Sequence, residues 1–113
     1  MNIPADAIIA IEKLTRYLLI GKSRNDKSKY LERAGFTQEN PEALLKAIRS
    51  LTNAVGAEED RTSEYGIFYR VSGKLMGPNG VSISVVTVWL QRKTDGRFHF
   101  ITLVPAEEHS NET

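Results

Sequence analysis

The chain has 113 residues, 41% apolar and 26% charged, with no cysteine and a net charge of +1. That length fits one domain with one hydrophobic core, and the missing cysteines exclude disulfides, thiolate nucleophiles and thiolate metal sites. The longest apolar runs, Ala7–Ile11 and Val85–Leu90, are too short to span a bilayer, and no basic stretch followed by an apolar run marks a secretory signal, so a cytoplasmic location is expected.

In chain order, Ile3, Ile8 and Ile9 lead in, with Pro4 leaving open whether the opening is extended or a first helical turn. Ile11, Leu14, Leu18 and Leu19 recur at helical spacing with Tyr17 beside them, and Gly21 stops that helix. Asn25 or Asp26 is the expected cap of a short second helix through Ala34, ended by Gly35. Between Gly21 and Arg33 lies a local basic segment, Lys22, Arg24, Lys27, Lys29 and Arg33 against only Asp26 and Glu32, which suits either a phosphate-bearing ligand or a solvated face. Asn40, Pro41 and Glu42 open a third helix, whose apolar stripe is Leu44, Leu45, Ile48, Leu51 and Val55. Ala57 to Ser63 is polar and reads as a linker. From Tyr65 the period changes to two, and three strands follow, separated by turns at Gly77-Pro78-Asn79-Gly80 and Thr94-Asp95-Gly96 and ended by Pro105. The expected fold is α+β: about three N-terminal helices on one face of a three- to four-stranded antiparallel meander. Residues 1–105 form one domain and 106–113 a flexible acidic tail.

Placing Pro78-Asn79 and Asp95-Gly96 at the turn centres sets a register. Ile67, Tyr69, Val71, Val86, Val88, Leu90, Ile101 and Leu103 then share an aliphatic face that carries the helices. Phe68, Arg70, Thr87, Trp89, Gln91, Phe100 and Thr102 share a mixed face. Rings and a guanidinium on an open sheet make a platform for nucleic-acid bases; under a covering element, the same residues are core. Chemistry by elimination is narrow. His109 lies in the acidic tail, His99 falls at an edge of the aliphatic face, and neither has metal-ligand spacing, so no metal or cofactor is expected. The loop Gly77–Gly80 reads as a hairpin turn, without the following helix of a phosphate loop. Lysine, arginine, threonine and aromatic side chains remain. They suffice for metal-independent RNA cleavage, because the nucleophile is the substrate's own 2′-hydroxyl.

The stretch Asp26-Lys27-Ser28-Lys29-Tyr30-Leu31-Glu32-Arg33-Ala34-Gly35-Phe36-Thr37, followed by Asn40-Pro41, Tyr65-Gly66, Gly77-Pro78-Asn79-Gly80, Val88-Trp89 and Ile101-Thr102-Leu103, resembles a bacterial domain of unknown function. That domain occurs alone and as the C-terminal module of polymorphic toxins, and it looks related to the barnase–EndoU–colicin–RelE-like ribonucleases. The likeness runs from about Ile3 to Pro105. It implies an endoribonuclease toxin that acts on RNA, tRNA among the candidates, and is neutralised by a small antitoxin or immunity protein. Carried over by position, the polar candidates are Lys27, Tyr65, Trp89 and Thr102, and the register adds Arg70 beside Thr87. The expected catalytic residues are Lys27, Arg70 and Thr102; the expected substrate-binding residues are Trp89, Tyr65, Thr87 and Lys29. The alternatives are a non-catalytic RNA- or protein-binding module using the same mixed face, and a domain whose mixed face pairs in a homodimer.

Overall fold

The lead-in settles as extended chain. The computed structural model, which describes residues 1–19 and 27–106, closes a turn there through the Ala7 N–H to the Pro4 carbonyl (3.0 Å). Ile3 and Ala7 are buried, Arg49 donates to the carbonyls of Ala5 (3.1 Å) and Ala7 (2.8 Å), and Ile8 adds a single parallel bridge to His99. Helix α1 (Ile11–Lys13) passes directly into a π-helical turn, Leu14–Leu18, closed by the Leu19 N–H on the Leu14 carbonyl (2.9 Å). The expected stop at Gly21, the cap at Asn25 or Asp26, the basic residues Lys22 and Arg24, and the tail with His109 lie outside the described residues.

Helix α2 (Ser28–Glu32) ends as its sequence requires. Phe36 N–H bonds the Leu31 carbonyl (3.1 Å) and Gly35 N–H the Glu32 carbonyl (2.9 Å), with Gly35 in the left-handed region and Phe36 and Leu31 both buried. Helix α3 (Pro41–Ala54) begins after Asn40, but the Asn40 side chain faces backwards. It accepts from the Thr37 N–H (2.9 Å) and hydroxyl (3.0 Å), so it fastens the α2–α3 loop rather than the helix end. Leu44, Ile48 and Leu51 of α3 are buried.

Four antiparallel strands follow in the order β1 (Glu58–Ser63), β2 (Gly66–Met76), β3 (Ser82–Arg92), β4 (Phe98–Pro105). The segment expected to be a linker is largely β1. Its charge belongs to an edge strand, where exposed charged side chains deter pairing with other chains. The helices cover one sheet face, where Leu14, Leu31, Phe36, Leu44 and Ile48 meet Val71, Leu75, Val85, Trp89, Phe100 and Leu103 in the core.

The register differs from the expected one. Val71 pairs with Thr87, Tyr69 with Trp89, and Arg70 with Val88. The cause is Pro78. A two-residue hairpin turn needs a positive φ at its first central residue, and proline is fixed near −65°. The chain therefore forms a three-residue loop, Pro78-Asn79-Gly80. Gly80 N–H bonds the Gly77 carbonyl (3.0 Å), Gly77 N–H the Val81 carbonyl (2.9 Å), and Gly80 sits at φ +86°. One added loop residue moves every β3 side chain to the other face relative to β2. Trp89 and Thr87 therefore point into the core with Tyr69 and Val71, while Val86, Val88 and Leu90 lie opposite. The second turn is a four-residue loop bounded by Arg92 and Arg97, so Leu90 pairs with His99. A bulge between Val88 and Trp89 then makes Ile101 the extra residue and brings Thr102 opposite Val88.

Candidate functional site

The bulge decides what stands at the β4 edge. Trp89 pairs with Phe100, and continuing that register without a break would set Thr102 against Thr87, on the core side. With the bulge, Arg70, Val88 and Thr102 line up across three strands on the face away from the core. Thr102 meets α2 here: the Lys27 ammonium, at the start of the helix, donates to the Thr102 hydroxyl at 3.0 Å. The helix is held in place by Tyr30, whose hydroxyl donates to the Ser84 carbonyl (2.7 Å), and by the β2–β3 turn, where Asn79 Nδ2 donates to the Arg33 carbonyl (3.1 Å). Gly77 makes that docking possible, since a Cβ there would collide with the Ala34 carbonyl.

Lys27 and Thr102 open into a cleft of about 440 Å³ whose other walls, among the described residues, are Lys13, Tyr17, Leu18, Phe100 and Ile101. Lys13 is half-buried and its ammonium reaches the Ile101 carbonyl (3.4 Å). Tyr17 is 60% exposed. Two ammoniums beside a hydroxyl, with no carboxylate among the described residues of the lining, make a donor-rich site for an anion. Lys13 and Tyr17 are the functional candidates that sequence reasoning missed. Their four-residue spacing, which puts both on one helix face, was a usable signal.

The other expected site residues separate. Trp89 is fully buried, its ring edge-on to Phe100 at 5.4 Å, so it has no free face on which a base can stack. Thr87 is also fully buried; its hydroxyl accepts from the Trp89 indole N–H (2.9 Å) and donates to the Val71 carbonyl (3.0 Å). The mixed face expected to carry Trp89, Thr87, Phe100 and Gln91 therefore keeps only Phe68, Arg70 and Thr102, since Gln91, opposite Ile67, turns with Trp89 and Thr87 to the helix side. Arg70 shares the open face with Thr102, with Val88 between them, about 10 Å apart by strand spacing. Its guanidinium lies beside Glu58 (3.9 Å) and Asp60 (3.8 Å) of β1. Lys29 is exposed on α2. Tyr65 is 67% exposed in the β1–β2 turn and lines a different depression, with Leu90, Arg92 and Lys93.

His99 is a half-buried neighbour of Lys13 in a smaller depression of about 170 Å³. Its Nε2 lies 3.8 Å from the Asp95 carboxylate, too long for a hydrogen bond. The carboxyl of Asp95 is held below the usual carboxylate range, first by the hydrogen bond from the Arg97 N–H and then by the charges of His99, Arg92 and Arg97. Among the described residues, no group of three or more histidine, aspartate or glutamate side chains is placed to hold a metal ion. No helix among them is long and apolar enough to cross a membrane.

No curated protein matches the chain. Among solved structures, it is similar in fold to one chain of a contact-dependent growth inhibition toxin–immunity protein complex from Klebsiella pneumoniae 342. The TM-score is 0.68 and the identity 22%, over 89% of this chain and 94% of that one. At that identity the likeness concerns the fold. The model of a domain of unknown function, DUF6883, matches residues 2–107, nearly the whole length, and the chain belongs to that family.

Proposed function

We propose that this chain is a toxin-type, metal-independent endoribonuclease whose active centre is the cleft between the π-helical turn, α2 and β4. The observation that carries this reading is the Lys27 ammonium on the Thr102 hydroxyl, with a second ammonium, Lys13, in the same cleft. The substrate's 2′-oxygen forms a bond to phosphorus and the bond from phosphorus to the 5′-oxygen breaks, with protons exchanged with water. Charge grows on the non-bridging oxygens in between, and fixed ammonium groups lower that barrier most. Thr102 orients the phosphate. Arg70, two strands away and beside Glu58 and Asp60, does not hold the reacting phosphate, and Lys29 adds to the positive potential of α2. The fold shared with a chain of a toxin–immunity complex supports a toxin reading and a small neutralising protein as partner.

The test is purified protein with total RNA and a chelator. Cleavage leaving 2′,3′-cyclic phosphate ends is expected, with activity about 100-fold or more lower in Lys27→Ala and clearly lower in Thr102→Val, both retaining the wild-type circular dichroism. Intact RNA across a wide range of protein concentrations would rule the activity out, and binding without cleavage would make the cleft a recognition site instead.

A further inference from the structure

Tyr17 has no part in the chemistry above, yet its placement is unusual. Its neighbours in the same turn, Leu14 and Leu18, are 0% and 3% exposed, while Tyr17 itself is 60% exposed at the cleft wall. The turn is π-helical, with the Leu19 N–H closing on Leu14 five residues back. Such widened turns are rare and recur at functional sites. Here the extra residue in the turn lets Leu14 and Leu18 stay in the core while Tyr17 projects beside Lys13. The cleft therefore joins an exposed aromatic ring, an apolar floor of Leu18 and Ile101, and two ammoniums within about 440 Å³. A ligand with an anionic group and a flat π-surface fits that combination.

We propose that Tyr17 is the base-binding residue of the cleft: it stacks the base of an unpaired nucleotide whose phosphate lies against Lys27 and Lys13. The inference rests on the ribonuclease reading and sharpens its substrate class to single strands and loops. A base within a duplex is stacked on both sides, and the deep, narrow major groove of A-form RNA keeps side chains from reaching it. Tyr17 occupies the role the sequence assigned to Trp89, on a helix instead of the sheet.

The experiment uses one labelled RNA sequence, 2′-O-methylated throughout so that it cannot be cut, as a single strand and as a duplex. Binding is followed by fluorescence anisotropy for wild type, Tyr17→Ala and Tyr17→Phe, with kcat and KM measured in parallel on unmodified RNA. Tighter binding of the single strand is expected. Tyr17→Ala should weaken it about 10-fold or more and raise KM with little change in kcat, and Tyr17→Phe should behave as wild type. Equal binding by wild type and Tyr17→Ala, or equal affinity for single strand and duplex, overturns the proposal. If RNA is cut but KM ignores Tyr17, this inference falls and the ribonuclease reading stands. If nothing is cut but binding of the analogue depends on Tyr17, the reverse holds.

Discussion

Thr87 shows how one side chain can look like chemistry and serve as structure. Its hydroxyl is the hydrogen-bond partner of the buried Trp89 indole and caps the Val71 carbonyl at the same time. Thr87→Val keeps the shape and removes the acceptor, leaving a buried N–H unsatisfied at a cost of about 1–3 kcal/mol. Chemical denaturation should show that loss, while RNA cleavage per folded molecule stays at the wild-type level; a selective loss of cleavage would return Thr87 to the site. Asp95 offers a second test, in pH. Its folded-state carboxyl titrates below its unfolded value because the Arg97 N–H and nearby positive charges favour the ionised form. Its contribution to stability is therefore full above the unfolded value and disappears as pH falls through the folded one. Thermal melts from pH 7 to pH 2 should show Asp95→Asn less stable at neutral pH and the two proteins converging in acid. A gap independent of pH would mean that the ionised form is not what stabilises the turn.

At the scale of elements, α3 and the β4 terminus were readable because each carries its own punctuation: Asn40-Pro41 before one, Pro105 after the other. Strand β1 was hidden because an exposed edge strand has no apolar alternation to detect. The faces of β3 were misassigned although the deciding residue was in view, since Pro78 cannot take the first central position of a two-residue hairpin turn. The β3–β4 bulge leaves no mark in either strand's composition, and it is what moves Thr102 to the open face. Half of the candidate site was legible for the same reason. Lys27 and Thr102 sit in recognisable local stretches, whereas Lys13 and Tyr17 left only their four-residue spacing as a mark, in a π-helical turn that apolar spacing does not distinguish from an α-helix. The β2–β3 turn gives the sharpest test. Gly80→Ala should cost about 1 kcal/mol, the strain of a left-handed residue bearing a Cβ, and so lower Tm by roughly 4–8 °C. Deleting Gly80 should be far worse, because Pro78 cannot close the shortened loop. Adding Pro78→Asn and Asn79→Gly to the deletion should recover much of the stability. Tm and Trp89 emission report both changes, and a deletion as mild as Gly80→Ala would show that the loop does not set the register.

Across the whole molecule, a net charge of +1 conceals a separation. Edge strand β1 exposes Glu58, Glu59 and Asp60, while the cleft beside the opposite edge strand, β4, holds Lys13 and Lys27. Three strand spacings, about 14 Å, lie between the two edges. That distance exceeds the Debye length of about 8 Å at 0.15 M ionic strength but falls well inside the length of about 30 Å at 0.01 M. The acidic edge should therefore be invisible to an incoming RNA at physiological salt and repel it in dilute buffer. Each phosphate neutralised on a single strand adds about −0.7 to the slope of log K against log salt, so losing the Lys27 contact should flatten that slope by about this amount at every salt concentration. Glu59→Gln should leave affinity unchanged at 0.15 M and raise the association rate at 0.01 M. Stopped-flow binding of the 2′-O-methyl strand to the two variants separates the contributions. If Glu59→Gln alters affinity at 0.15 M, RNA approaches the β1 edge itself, and the cleft at β4 is not where the strand is held.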